Sequence, residues 1–264
     1  MMSDARKDAV PRWRARLEKE LNYSVEFDTL DAEGWVALLR VRSITSRNHD
    51  TVLSLDWPHY CAHSTPACGG PQGWCYTFQG NQASAAHNRH AAMIDRLAVR
   101  HPLLFARAVH REVEKAVRIG ELSYPNLRLA GSGETIRAYV PALAEIVRLG
   151  VRLWGFTRDL QLAERLREVG VAIIASCDKT SPFGFVEHAE ASGVPIAYTS
   201  EGVEDLPPAG TLVTFPLHRV GRVREVVDVP SLCPKVLADF LHDSRPQAFC
   251  QRYCQRCHLN EVEA

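Results

Sequence analysis

Gly150-Val-Arg-Leu-Trp-Gly-Phe-Thr-Arg-Asp-Leu-Gln-Leu-Ala-Glu-Arg-Leu-Arg-Glu-Val-Gly170-Val-Ala-Ile-Ile-Ala175 is the stretch whose reading decides the fold. A short apolar run, 151–156, reads as a strand. A helical stretch follows over 159–169, is closed by Gly170, and gives way at once to a second apolar run, 171–175. Glycine supplies the left-handed residue that ends a helix, and a strand buried on both faces reads as a continuous apolar run. The same unit repeats on both sides. Upstream lie Asn126-Leu-Arg-Leu-Ala130, the bend Gly131-Ser-Gly-Glu134 and a helix over 135–149 closed by Gly150. Downstream lie a helix over 184–192, Gly193, Val194-Pro-Ile-Ala-Tyr-Thr199 and Thr211-Leu-Val-Thr-Phe215.

The first strand of the series is Thr51-Val-Leu-Ser-Leu-Asp-Trp57, and helical segments span 81–119 with an interruption near Pro102. Strands alternating with helices predict right-handed βαβ units and a parallel sheet. About six such units, fewer than the eight of a closed barrel, predict an α/β fold of partial (β/α)6 TIM-like type. A doubly wound open sheet is the alternative. Residues 1–49 read as a helical or mixed extension, with an amphipathic helix over 4–21 and a turn at Asp31-Ala-Glu-Gly34. Residues 50–228 form the α/β body, and 229–264 a small cysteine-rich metal-binding appendage.

With 264 residues, 46% of them apolar, the chain is long enough to bury a proper core. Its formal net charge of +0 offers no global attraction to nucleic acid or a membrane surface. Nothing in the sequence reads as a signal peptide or a membrane-spanning run. Eight cysteines without an export signal point to metal ligands in a reducing cytoplasm rather than to disulfides.

Two constellations carry candidate chemistry. The loop after the first strand holds Cys61, Cys68 and Cys75, with six residues between each pair, and glycines and prolines let its backbone wrap closely around a metal centre. Three thiolates leave one iron of a cubane cluster open; structural zinc with His59 or His63 as fourth ligand is the rival reading. Trp74 beside the last cysteine is placed to shield one face of such a centre. The second constellation is Gly131-Ser132-Gly133-Glu134 at the end of a predicted strand, where α/β folds bind ligands. Its backbone groups and the Glu134 carboxylate suit a ligand ammonium; a tight strand-to-helix turn is the plainer reading.

Together these residues resemble the radical S-adenosylmethionine (radical SAM) superfamily, whose members carry three cysteines after the first strand, an aromatic next to the last, and a Gly-Gly-Glu-like bend after the second. The usual spacing there is three residues and then two. The wider spacing here looks more like phage-borne members of uncharacterised function. The resemblance covers roughly residues 50–257. It implies a [4Fe-4S] cluster on Cys61, Cys68 and Cys75 whose open iron chelates S-adenosylmethionine and cleaves it reductively to a 5′-deoxyadenosyl radical. It also implies that Gly131, Ser132, Gly133 and Glu134 hold the methionyl ammonium, while Thr157, Arg158, Ser176 and Asp178 reach the ribose or substrate. The substrate would be a small molecule, nucleoside or peptide, and the electron donor a flavodoxin or ferredoxin.

Cys233, Cys250, Cys254 and Cys257 form a complete four-thiolate set, suited to a second [4Fe-4S] cluster or zinc. The last three have the Cys-x3-Cys-x2-Cys spacing, but they follow the final βα unit rather than the first strand. Cys177 reads as a buried strand thiol. The histidines of Ala86-His-Asn-Arg-His90 read as solvent-facing. The alternative function class is a metal-stabilised nucleic-acid-binding or regulatory module without catalysis.

Overall fold

The structure is a computed structural model that describes Val25 and residues 27–47, 53–58, 63, 84–200 and 205–216. The helix expected over 4–21 and the cysteine-rich segment 229–264 lie outside these residues. Helix α1 (Ala32–Val41) is capped by Asp31, whose carboxylate accepts from Gly34 N–H at 2.8 Å. The expected turn at residues 31–34 is therefore the helix's first turn. An aspartate ahead of small residues serves an N-cap as readily as a turn.

Strand β1 (Ser46–Arg47) runs antiparallel to β2 (Leu53–Asp56). Next come α2 (Ala85–Arg100) and α3 (Pro102–Arg118), separated at the expected place by a proline that starts the second helix. Then follow β3 (Asn126–Ser132), a single 3-10 turn (Arg137–Tyr139), α4 (Val140–Arg148), β4 (Arg152–Thr157) and α5 (Leu160–Glu168). The chain continues through β5 (Ala172–Asp178), α6 (Phe185–Ala191), β6 (Ile196–Ser200) and β7 (Val213–Pro216). Gly150 and Gly170, both at φ +86°, end α4 and α5 as the glycine spacing predicts.

The seven strands among the described residues form one sheet in sequence order, β1 to β7, and β2 to β7 are all parallel. The order never reverses, which sets the doubly wound alternative aside. One face of the sheet, carrying Leu55, Leu129, Leu153, Ile173 and Tyr198, shares a single core with residues from each of the six helices named above, among them Trp35, Leu97, Val109, Ile146, Leu166 and Ala189. The other face carries separate apolar clusters around Trp154, Ala172, Ile174, Ala197 and Val213. Right-handed connections in a monotonic strand order put the crossover helices on the same side, and the described ones share one core with one face of the sheet. Among the described residues no helix is long and apolar enough to cross a membrane.

Two clasps hold the helices to the strand ends. The Glu112 carboxylate on α3 accepts from Ile44 N–H at 2.8 Å, Thr45 N–H at 2.9 Å and the Ser43 and Thr45 hydroxyls at 2.7 Å, fixing the chain that enters β1. Trp57, just past β2, stacks on Tyr139 with ring centroids 4.1 Å apart. The Tyr139 hydroxyl donates to Asp95 of α2 at 2.6 Å. Burial pushes the Asp95 carboxyl above its ordinary value, so this donor matters. Tyr139→Phe keeps the stack and removes the donor. It is expected to cost about 1–3 kcal/mol in denaturant unfolding, and an unchanged midpoint would show that the bond contributes nothing.

Candidate functional site

The site begins where β2 ends. Leu53 and Leu55 enter the helix-facing core, so the alternation of a strand puts Ser54 and Asp56 on the opposite face. Ser54 pairs with Arg128 on β3, yet Asp56 pairs with Ser132, so β3 spends two extra residues over this interval. The bulge is absorbed at Ala130, which adopts φ +53°. A left-handed alanine costs about 1–2 kcal/mol, so the surrounding contacts must enforce it.

The glycines on either side of Ser132 are demanded by space. A Cβ at Gly131 would lie 2.5 Å from Ser54 Oγ and 2.7 Å from Asp56 Oδ1. One at Gly133, where φ is +71°, would lie 2.1 Å from the Trp57 carbonyl oxygen. Trp57 N–H also donates to Ser132 O at 3.0 Å. The bend after β3 is therefore pressed against the first residues beyond β2, from which the three-cysteine loop departs.

Helix α2 starts over this junction. Ser84 caps it, accepting from His87 N–H at 3.2 Å. The His87 ring reaches back so that Nε2 lies 2.7 Å from Ser132 Oγ and Nδ1 3.9 Å from Asp56 Oδ2. The expectation that this histidine pair faces solvent is thereby corrected. His87 retains 15% side-chain exposure. His90 lines a cavity of about 200 Å³ with Phe27, Leu38, Arg42 and Met93, and burial lowers its pKa. The start of the helix lies over the strand ends, so His87, Asn88 and His90 turn inward while Ala86 and Arg89 stay exposed.

Glu134 follows the bend. Its Oε1 accepts from the Thr157 hydroxyl at 2.8 Å, and Arg158 N–H donates to the same carboxylate. Burial outweighs these donors and pushes the carboxyl up to about 7. The charge of the Arg158 guanidinium lowers it too, although that group is paired with Asp178: Nη1 stands 2.9 Å from Asp178 Oδ2 in a buried ion pair, without the alignment of a hydrogen bond. Asp178 Oδ1 also accepts from Thr180 N–H at 2.8 Å. Asp159 caps α5 through Leu162 N–H at 3.0 Å, and its other oxygen stands 3.5 Å from His63 Nε2 and 3.9 Å from Arg137 Nε. His63 belongs to the loop between Cys61 and Cys68, so that loop touches the end of β4 at this point.

The structure thus brings together Gly131, Ser132, Gly133, Glu134, Thr157, Arg158 and Asp178 at the carboxyl ends of β3, β4 and β5. Ser176, partly buried on β5 beside Ala197, takes no part in this network among the described residues. Cys177 lies in the helix-facing core, where burial pushes its thiol up to about 11, in keeping with a buried strand thiol. Cys61, Cys68, Cys75, Cys233, Cys250, Cys254 and Cys257 lie outside the described residues. Among the described residues no group of three or more histidine, cysteine or acidic side chains is placed to hold a metal ion. Sequence reasoning passed over Asp56 and Asp159 and placed His87 toward solvent. An acid ending an otherwise apolar strand was the available signal for Asp56.

No protein-family model matches the chain, and neither the curated proteins nor the solved structures contain a match to it.

Two expectations follow from this geometry. Glu134 has a folded-state pKa near 7 against an ordinary 4.5, so the stability it contributes is complete below about pH 4.5 and is lost as pH rises through 7. Relative to Glu134→Gln, the wild type should lose up to about 3 kcal/mol between pH 4.5 and pH 8 in guanidinium unfolding; parallel curves would overturn the assignment. Gly133→Ala should destabilise by about 1–3 kcal/mol, because either the bend or Trp57 must move. A thermal midpoint equal to wild type would refute the close approach.

Proposed function

We propose that this chain is an iron–sulfur enzyme of radical SAM type, built on a partial (β/α) barrel. The observation that carries the reading is the Glu134 carboxyl, buried and held up near 7, beside a glycine bend with no room for a side chain. A buried carboxyl pushed up by desolvation is completed by a cation, and an ammonium seated there would return it to the ionised form. The bend also abuts Trp57, four residues before Cys61, while His63 touches Asp159 at the end of β4. Trp57 ahead of the cysteine loop and His63 within it thus lie near Glu134 and its bend, which supports a shared site.

The residues fit the implied cofactors in their chemistry. Cys61, Cys68 and Cys75 would hold a [4Fe-4S] cluster with one open iron, and Gly131, Ser132, Gly133 and Glu134 would hold the ammonium of S-adenosylmethionine. Such a cluster, when bound, would supply the one-electron reduction that cleavage of the sulfonium requires. The chain orients the ligand: Glu134 fixes its cationic end, Thr157 and Arg158 N–H hold Glu134, and the Arg158–Asp178 pair sets the charge of the neighbouring rim. Cys233, Cys250, Cys254 and Cys257 would hold a second cluster or zinc. The setting proposed is a reducing cytoplasm with a flavodoxin- or ferredoxin-type electron donor, acting on a small molecule, nucleoside or peptide.

Anaerobic reconstitution tests this. Iron and sulfide should load, the spin-resonance signal should change on adding S-adenosylmethionine, and 5′-deoxyadenosine should form under reduction. Replacing Cys61, Cys68 and Cys75 together by alanine should remove one cluster and all cleavage. Binding should be tighter at pH 8 than at pH 6, because the Glu134 carboxylate is the form that takes a cation. Protein that holds zinc alone, or never yields 5′-deoxyadenosine, would sink the proposal.

A further inference from the structure

We propose that His87 is the positioning residue of the Gly131–Glu134 bend: with Asp56 behind it, its ring holds Ser132 and so keeps the bend in the shape that receives a ligand ammonium. The role assigned to the bend rests on the functional reading above; the role assigned to His87 rests on contacts among three separate elements, β2, α2 and β3.

Ser132 is fully buried, so its hydroxyl requires a partner, and His87 Nε2 supplies one at 2.7 Å. The carboxylate of Asp56, also buried, faces Nδ1 at 3.9 Å. A negative charge on that side favours the tautomer with its proton on Nδ1, leaving the Nε2 lone pair to accept from the serine O–H. Ser132 is held from the backbone side as well, its carbonyl accepting from Trp57 N–H at 3.0 Å.

These restraints sit where the backbone needs them. Ala130 at φ +53° and Gly133 at φ +71° flank Ser132, and β3 carries two surplus residues here. Such a conformation persists when its surroundings over-determine it. Gly131 closes against Ser54 and Asp56 on one side and Gly133 against Trp57 on the other, while the histidine secures the residue between them. Without the ring, the hydroxyl would turn to find another partner and the bend would relax. A ligand would then have to order the bend as it binds, and affinity would fall.

The test uses the full-length, anaerobically reconstituted protein with His87→Leu, His87→Gln, Ser132→Ala and the Leu/Ala double variant. Two quantities are read: the Kd for S-adenosylmethionine by calorimetry, and amide hydrogen exchange of the peptide covering residues 131–134 in the ligand-free protein. His87→Leu should weaken binding about tenfold and speed exchange of the bend about tenfold, at unchanged iron content and far-ultraviolet circular dichroism. Glutamine, which still offers an acceptor, should restore most of both. The double variant should be no worse than the poorer single one, because the histidine acts through the serine. Wild-type exchange in His87→Leu, no rescue by glutamine, or additive losses would each overturn the assignment. If the wild type itself does not bind S-adenosylmethionine, the functional reading fails, while exchange and rescue still decide the role of His87.

Discussion

The carbonyl of Trp57 comes so near Gly133 that no side chain fits between them, and much of the site depends on that approach. It forces β3 to end in a bend of glycines rather than run on as a strand. It also accounts for the surplus residues of β3: the strand must change direction before it meets Trp57, and Ala130 takes a left-handed conformation to do so. On its far side Trp57 stacks on Tyr139, which follows the bend in sequence. The end of one strand and both sides of the next loop are thus clamped around one aromatic residue.

Electrostatics then divide the rim into two parts. At the Asp56 end a carboxylate, an imidazole and a hydroxyl are joined across three elements, and their role is to keep backbone in place. At the β4–β5 end Arg158 is paired with Asp178, and burial of Glu134 outweighs both the Thr157 hydroxyl and the Arg158 charge, pushing its carboxyl up to about 7.

Much of the sheet was legible because its signals are local. Gly150 and Gly170 end helices at positive φ whatever lies around them, and Leu153 or Ile173 can be assigned to a core from apolar runs alone. Glu134 and its glycines were legible for the same reason: a bend needs certain residue types at fixed offsets. The start of α1 was misread because Asp31 and Gly34 serve a turn and a helix start equally well. His87 was misread because its partner Ser132 is 45 residues away, and nothing near a histidine announces a distant hydroxyl.

By itself the sequence determined the α/β class, the number of parallel strands and the position of the glycine bend, since each follows from residue types within a short window. The tertiary structure decided which face of the sheet the helices cover, that Asp56 and His87 meet at Ser132, and which acid Arg158 serves. Those outcomes depend on strand register, and on how α2 crosses the strand ends. Both are set by packing many residues at once, and a local pattern does not encode which of several compatible partners a side chain will meet.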